Sequence, residues 1–246
     1  MMSSADRFPV SSGWSPLGGP GARLVFLPDP RVTSAAPLLE ERLESAGRQV
    51  TAGNFQSLLD SLMERMIADA FLDVKASTGL ILLRSADGGE LTVAYQVRPG
   101  AEGGCIKPVC GHSLPAGTGR RGLVLASQQP FCGNDQGDDP LRENSLAALL
   151  GCGIQAEIIV PFYFARQFKG LIVALRTVDG QSGRDGLSGQ SGLGNGTFAG
   201  FGAPVPSPAT GEGFSPRCLE EMELMSTCLG RLLDYQLICS ALGMSV

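Results

Sequence analysis

Gln155-Ala156-Glu157-Ile158-Ile159-Val160-Pro161-Phe162-Tyr163-Phe164 and Phe168-Lys169-Gly170-Leu171-Ile172-Val173-Ala174-Leu175-Arg176-Thr177-Val178, joined by Ala165-Arg166-Gln167, decide the fold. Both runs are dense in β-branched and aromatic residues, and the link between them is turn-sized. They predict two antiparallel strands. Strand alternation places Glu157 and Ile159 on one face and Ile158 and Val160 on the other. Pro161 has no N–H to give to a ladder, which predicts a sheet edge or a bulge at that point. Gly170 opens the second strand where two backbones come close.

A second hairpin lies upstream. Thr78–Arg84 (TGLILLR) reads as a buried strand, Ala86-Asp87-Gly88-Gly89 as a turn, and Leu91–Val97 as the returning strand. Before it, Phe55, Leu58, Leu59, Leu62, Met63, Met66, Ile67, Ala70 and Phe71 mark one wide apolar face, predicting a helix over Thr51–Val74. Pro37–Arg48 predicts a shorter helix with Pro37 in its first turn. Between the hairpins the pattern is irregular: a strand near Ile106–Cys110, a helix over Thr118–Ser127, a short strand at Phe131-Cys132, and a helix over Leu141–Leu150 stopped by Gly151 and Gly153. Ser215 as N-cap and Pro216 at the first helical position open a last helix of about 27 residues, roughly 40 Å long at 1.5 Å per residue. The expected class is α+β: an antiparallel sheet with the long terminal helices on one face and an irregular helical cover on the other.

Two segments stand outside this plan. Residues 1–36 are rich in Ser, Pro and Gly without a period and read as a loosely packed tail. Residues 180–213 belong to a stretch with eleven glycines from Asp179 to Gly213, which reads as a low-complexity insertion in a single domain spanning 37–246. Together they account for much of the glycine excess, 34 in 246 residues.

Charge and cysteine usage narrow the function. The net charge is −5, and the 19 basic residues include no run longer than Arg120-Arg121. That composition opposes sequence-independent nucleic-acid binding, which needs clustered cations against phosphates. No stretch reaches the about 20 apolar residues of a membrane span, and the N-terminus lacks the basic start and apolar core of a secretory leader. A cytoplasmic chain is expected, with its seven cysteines as thiols. One histidine and no C-x-x-C pair leave no ordinary zinc set, so no metal is expected.

The order of these pieces, with particular residues, resembles the GAF domain family from about Asn54 to Leu242. Leu114-Pro115-Ala116-Gly117-Thr118-Gly119 leading into Gly122-Leu123-Val124-Leu125-Ala126 is similar to the family's glycine-rich turn into its middle helix. Pro130-Phe131-Cys132-Gly133-Asn134-Asp135 is similar to its short strand ending in Asp. Gln155–Phe162 and Phe168–Leu175 resemble its paired strands, and Phe214-Ser215 with Leu219-Glu220 resembles the entry to its final helix. The resemblance implies a sensory or regulatory module without catalysis of its own. It would bind a small ligand or a partner protein, act on an output partner in trans, and form a homodimer through its terminal helices. It assigns no cofactor, because ligands vary across the family. A covalent chromophore is not expected, since Cys152 has no adjacent histidine.

A weaker similarity runs to the free methionine sulfoxide reductases, through Ala156-Glu157-Ile158-Ile159-Val160-Pro161. That branch implies a thiol-dependent redox enzyme. However, Arg120-Arg121 stand where its cysteine would be, and Val173 and Leu175 stand where it has two carboxylates. A domain whose pocket is filled by its own side chains, left with an interaction role, is the third reading.

The candidate ligand-site residues are Tyr95, Glu157 and Ile159 on the sheet, with Cys110, His112, Asn134, Asp135 and Arg142 in the cover. Few convergent polar groups in an apolar cavity are the usual form of such a site. Arg120 and Arg142 also read as phosphate-capable cations or, more plainly, as solvated charges on short helices. The candidate dimer residues are Leu59, Met63 and Met66 on the first long helix and Met225, Leu229 and Leu232 on the last.

Overall fold

The computed structural model describes residues 30–99, 106–134, 144–178 and 213–241. The chain divides into two units, Met1–Pro37 and Leu38–Val246, and the sheet lies in the second. The expected tail up to residue 29 and the expected insertion up to residue 212 lie outside the described residues.

Among the described residues, six strands form one antiparallel sheet: β1 (Thr78–Arg84), β2 (Glu90–Val97), β3 (Ser113–Pro115), β4 (Phe131–Asn134), β5 (Gly153–Phe164) and β6 (Gln167–Val178). Their spatial order is β3-β2-β1-β6-β5-β4, so the two hairpins meet at β1 and β6. Gly170 makes that meeting possible, because a Cβ there would stand 1.9 Å from the Leu82 carbonyl oxygen. Pro161 pairs with Leu171 of β6, beyond the last β4 pair, Phe131 with Ile159. The missing N–H therefore faces the stretch where β5 is an open edge, as the proline predicted.

The helices are α1 (Pro30–Gln49), α2 (Ser61–Asp73), α3 (Gly119–Ser127), α4 (Ser145–Leu150) and α5 (Pro216–Ala241). One sheet face, carrying Ile81, Leu83, Ile158, Val160, Phe162, Ile172 and Ala174, packs on Met63, Ile67 and Phe71 of α2 and on Met222, Leu229 and Leu233 of α5. The other face, carrying Leu80, Leu82, Val93, Ile159, Leu171, Val173 and Leu175, packs under Val109, Leu114, Val124, Leu146 and Leu150 of the cover. The two faces are thus separate apolar layers, and each buried Leu or Ile contributes about 2 kcal/mol.

Four expectations about elements change. The helix expected over Thr51–Val74 begins only at Ser61, after a 3-10 turn at Gln56–Leu58 and an extended Leu59. Polar side chains break it: Asn54 Oδ1 accepts from Thr51 N–H at 2.7 Å, and Asp60 caps α2 by accepting from Met63 N–H at 2.8 Å. Such side chains offer the backbone an alternative to helical bonding. The helix expected from Pro37 starts instead at Pro30, where a proline's absent N–H costs nothing, and so the expected tail ends earlier than residue 36. No strand forms at Ile106–Cys110; β3 is Ser113–Pro115, paired with Glu90–Thr92. The turn between β5 and β6 is two residues, Ala165 and Arg166, both at positive φ, so Gln167 joins the strand.

Candidate functional site

The centre of the cover side is an ion pair. Glu157 sits on the cover face of β5, and Arg120 rises from the first turn of α3. Arg120 Nη1 donates to Glu157 Oε1 at 2.6 Å, with both side chains about one-tenth exposed. The Arg120 guanidinium also stacks on the Phe131 ring of β4, 5.3 Å from its centroid. Arg121 turns the same way along the cover, where its Nη2 donates to Ser145 Oγ at the start of α4 at 2.9 Å. The reading of Arg120 as a solvated charge is therefore corrected: it is buried, at 8% exposure, and its neighbour Arg121 is buried too, at 3%. A buried guanidinium needs a carboxylate or comparable acceptors, and the α3 sequence Gly119-Arg120-Arg121-Gly122 signals this by placing two arginines on an otherwise apolar helix.

Around this pair the described space between sheet and cover is occupied by Leu80, Leu82, Val93, Val124, Leu146, Leu150 and their neighbours, nearly all without solvent exposure. Ile159 and Cys152 belong to that packing. Val173 and Leu175 lie there at 0% exposure, so the positions compared with the sulfoxide reductase carboxylates are core positions.

The other candidate residues do not converge on the pair. Tyr95 was expected beside Glu157, yet it packs with the helix-face layer. The cause is a bulge: Ile81 pairs with Tyr95 and Leu82 with Val93, leaving Ala94 as an extra residue in β2. One inserted residue reverses the alternation beyond it. Gln96 then takes the cover side, with its Oε1 accepting from Val109 N–H at 2.9 Å and its Nε2 donating to Lys107 O at 3.2 Å. Sequence reasoning missed Gln96 because nothing in Leu91–Val97 announces the bulge. Burial and the Glu64 carboxylate push the Tyr95 phenol up, with Cys110 adding to the shift.

Cys110 and His112 lie exposed on a turn held to β2 by backbone bonds from Gly111 N–H to Val93 O and from Val93 N–H to His112 O. The His112 Nδ1 donates to Val109 O at 3.2 Å. Asn134 serves α5 instead of the cover: its Oδ1 accepts from Phe214 N–H at 2.8 Å and its Nδ2 donates to Phe214 O at 3.2 Å. Asp135 and Arg142 lie outside the described residues.

The helix side exposes a different surface. α2 and α5 leave a groove of about 530 Å³ lined by Leu62, Met66, Ala70, Leu224, Met225 and Cys228. Leu62 and Leu224 are 64% and 65% exposed. Of the expected dimer residues, Met63, Met225 and Leu229 are committed to the chain's own core, and Leu59, Met66 and Leu232 are half-buried against it. The phase of both helices is set by the sheet, which takes the stripe that sequence alone assigned to a partner. Among the described residues, no group of three or more His, Cys, Asp or Glu could hold a metal ion, and no helix is long and apolar enough to cross a membrane.

Sheet, terminal helices and cover make an α+β module of GAF-like architecture, the arrangement that the sequence resemblance implied. No protein-family model matches the chain, and no curated protein matches it. Among solved structures it is similar to a red/green cyanobacteriochrome in its red-light-absorbing state, at TM-score 0.48 and 10% identity over 75% of this chain and 97% of that one. It is also similar to the GAF domain of an Acinetobacter phosphoenolpyruvate-protein phosphotransferase, at 0.41 and 14% over 82% and 93%. A third is the GAF-B domain of DevS from Mycobacterium smegmatis, at 0.42 and 16% over 73% and 94%.

Proposed function

We propose that this chain is a regulatory module of GAF type that works by protein contact through its α2–α5 face, pairing there with a second copy. The observation that carries this reading is the contrast between the two sides of the sheet. On the cover side, Leu, Val and Ile side chains fill the described space, and its central charges, Arg120 and Glu157, neutralise each other. On the helix side, Leu62 and Leu224 stand in water beside an apolar groove rimmed by Arg65, Asp69 and Glu221. Apolar area of that kind on a small domain marks a contact surface. A groove with both a cation and carboxylates on its rim suits a two-fold contact, in which the same patch meets itself.

Sedimentation velocity at micromolar concentration tests this. The wild type is expected to run as a dimer, and Leu62→Glu with Leu224→Glu as a folded monomer. A monomeric wild type overturns the homodimer. Tight retention of a small molecule by the purified protein in native mass spectrometry would favour the ligand-sensing reading instead.

A further inference from the structure

At one end of the sheet, the turn after β1, the start of β6 and the chain leaving α1 enclose a recess of about 760 Å³. It shares no lining residue with the α2–α5 groove. Among the described residues, its lining carries three cations, Arg48, Arg84 and Lys169, against one carboxylate, Asp87. That carboxylate is already engaged: Asp87 Oδ1 accepts from Ser85 Oγ at 2.5 Å and from Gly89 N–H at 3.1 Å. Neither Arg48 nor Lys169 has a carboxylate within 4 Å among the described residues.

Lys169 is placed there by an irregularity in β6. Phe162 pairs with Gly170 and Tyr163 with Phe168, so Lys169 is the extra residue of a bulge in β6. Bulges re-aim side chains. Its ammonium is then held by the Gly47 carbonyl at 2.8 Å and by the Phe164 ring, 5.6 Å from the centroid. An ammonium has three N–H donors, and the carbonyl takes one. Partial burial, with Arg48 nearby as a like charge, holds the Lys169 pKa below its ordinary value. Two cations held near each other, with no carboxylate between them, form a site that an anion would stabilise.

We infer that this recess binds a small phosphorylated molecule, with its phosphate between Arg48 and Lys169 and within reach of Arg84. Arg48 supplies a forked donor suited to phosphate oxygens, and Lys169 a point charge fixed by its two contacts. The Thr51 and Ser85 hydroxyls line the same recess, and Phe168 adds an aromatic wall.

Calorimetric titration of the full chain with inorganic pyrophosphate and, separately, with ATP tests the site. One equivalent is expected to bind, with affinity falling as salt rises. Arg48→Glu and Lys169→Gln should each weaken binding by about tenfold or more, the scale of one lost charge-assisted contact. Arg217→Glu, a charge reversal at the start of α5, should leave it unchanged. Tighter binding of ATP than of pyrophosphate would show that the nucleoside is read as well; equal affinity would show that phosphate alone is read, and either supports the site. Absence of binding by both probes at about 1 mM overturns the inference. So does binding that Arg48→Glu leaves intact, or that Arg217→Glu weakens equally. Arg48 is exposed, so its variant stays folded even where Lys169→Gln does not.

Discussion

Arg120 and Glu157 are 37 positions apart in sequence, and their side chains meet at 2.6 Å inside the cover layer. A buried pair of this kind is weak evidence for stability, but breaking it is costly because one charge stays buried. Glu157→Gln should therefore destabilise the fold by about 3 kcal/mol, and Arg120→Met with Glu157→Leu by less than either single change, since no charge remains. Urea unfolding of Glu157→Gln, Arg120→Met and the double variant measures both. Equal stability of Glu157→Gln and wild type would mean that the carboxylate is not what balances Arg120.

The expected dimer residue Leu229 now makes a different prediction. Its side chain has no solvent exposure and lies between α5 and the sheet. Leu229→Glu should unfold the protein, costing more than about 4 kcal/mol, instead of yielding a folded monomer. Circular dichroism beside sedimentation distinguishes the two, because Leu224→Glu should keep the native spectrum.

Gly230 tests how closely α5 sits on β5. A Cβ there would stand 2.1 Å from the Tyr163 carbonyl oxygen, a backbone atom that cannot swing aside. Alanine gains about 1 kcal/mol of helix propensity over glycine, and overpacking costs about 1–3 kcal/mol. The clash should win, so that Gly230→Ala lowers the melting temperature. A rise would mean that the helix moves off the strand freely.

Lys169 gives a signed pH dependence. Burial and then Arg48 lower its folded pKa, so the unfolded chain binds the extra proton more readily. Stability from this group should rise with pH from the lowered folded value up to the ordinary lysine value, and be lost below that window. Lys169→Met keeps the stem over Phe164 and removes the titration. Subtracting the variant's stability from wild type between neutral and alkaline pH should show the difference increasing with pH.

Residues 180–212 are expected to be dispensable. The two chain ends that flank them are fastened: Arg176 Nη1 donates to Gly213 O at 3.0 Å, Arg176 stacks on Phe214 at 4.4 Å, and Asn134 brackets Phe214 with two hydrogen bonds. Replacing the segment with a four-residue turn shortens the loop about eightfold, worth only about 2 kcal/mol in closure entropy, in the stabilising direction. A loss of several kcal/mol in thermal unfolding would show that the segment packs on the domain.

Local pattern was enough for much of this molecule, and the places where it failed share a cause. Thr78–Arg84 was read with its observed bounds, and Gly170 and Pro161 were read in their observed roles. The break before α2 was missed because Phe55, Leu58 and Leu59 keep an apolar spacing through a 3-10 turn, while Asn54 and Asp60 do the breaking. In the candidate site, Glu157 and Ile159 were assigned to the cover face and lie there. Tyr95 was assigned to it and does not, and Gln96 and the burial of Arg121 were not seen.

By itself, then, the sequence determined the class of fold: residue types, strand alternation, turn chemistry and helical spacing are local properties, and they specify which elements form and in what order. Only the tertiary structure decided what those elements face. Two single-residue bulges, at Ala94 and Lys169, redirect one strand's tyrosine to the helices and one lysine to a recess. The sheet claimed Met63, Met225 and Leu229 for its own core and left Leu62 and Leu224 outside. Such choices depend on contacts between residues far apart in the chain, where a shift of one position reverses a face, and no local pattern records it.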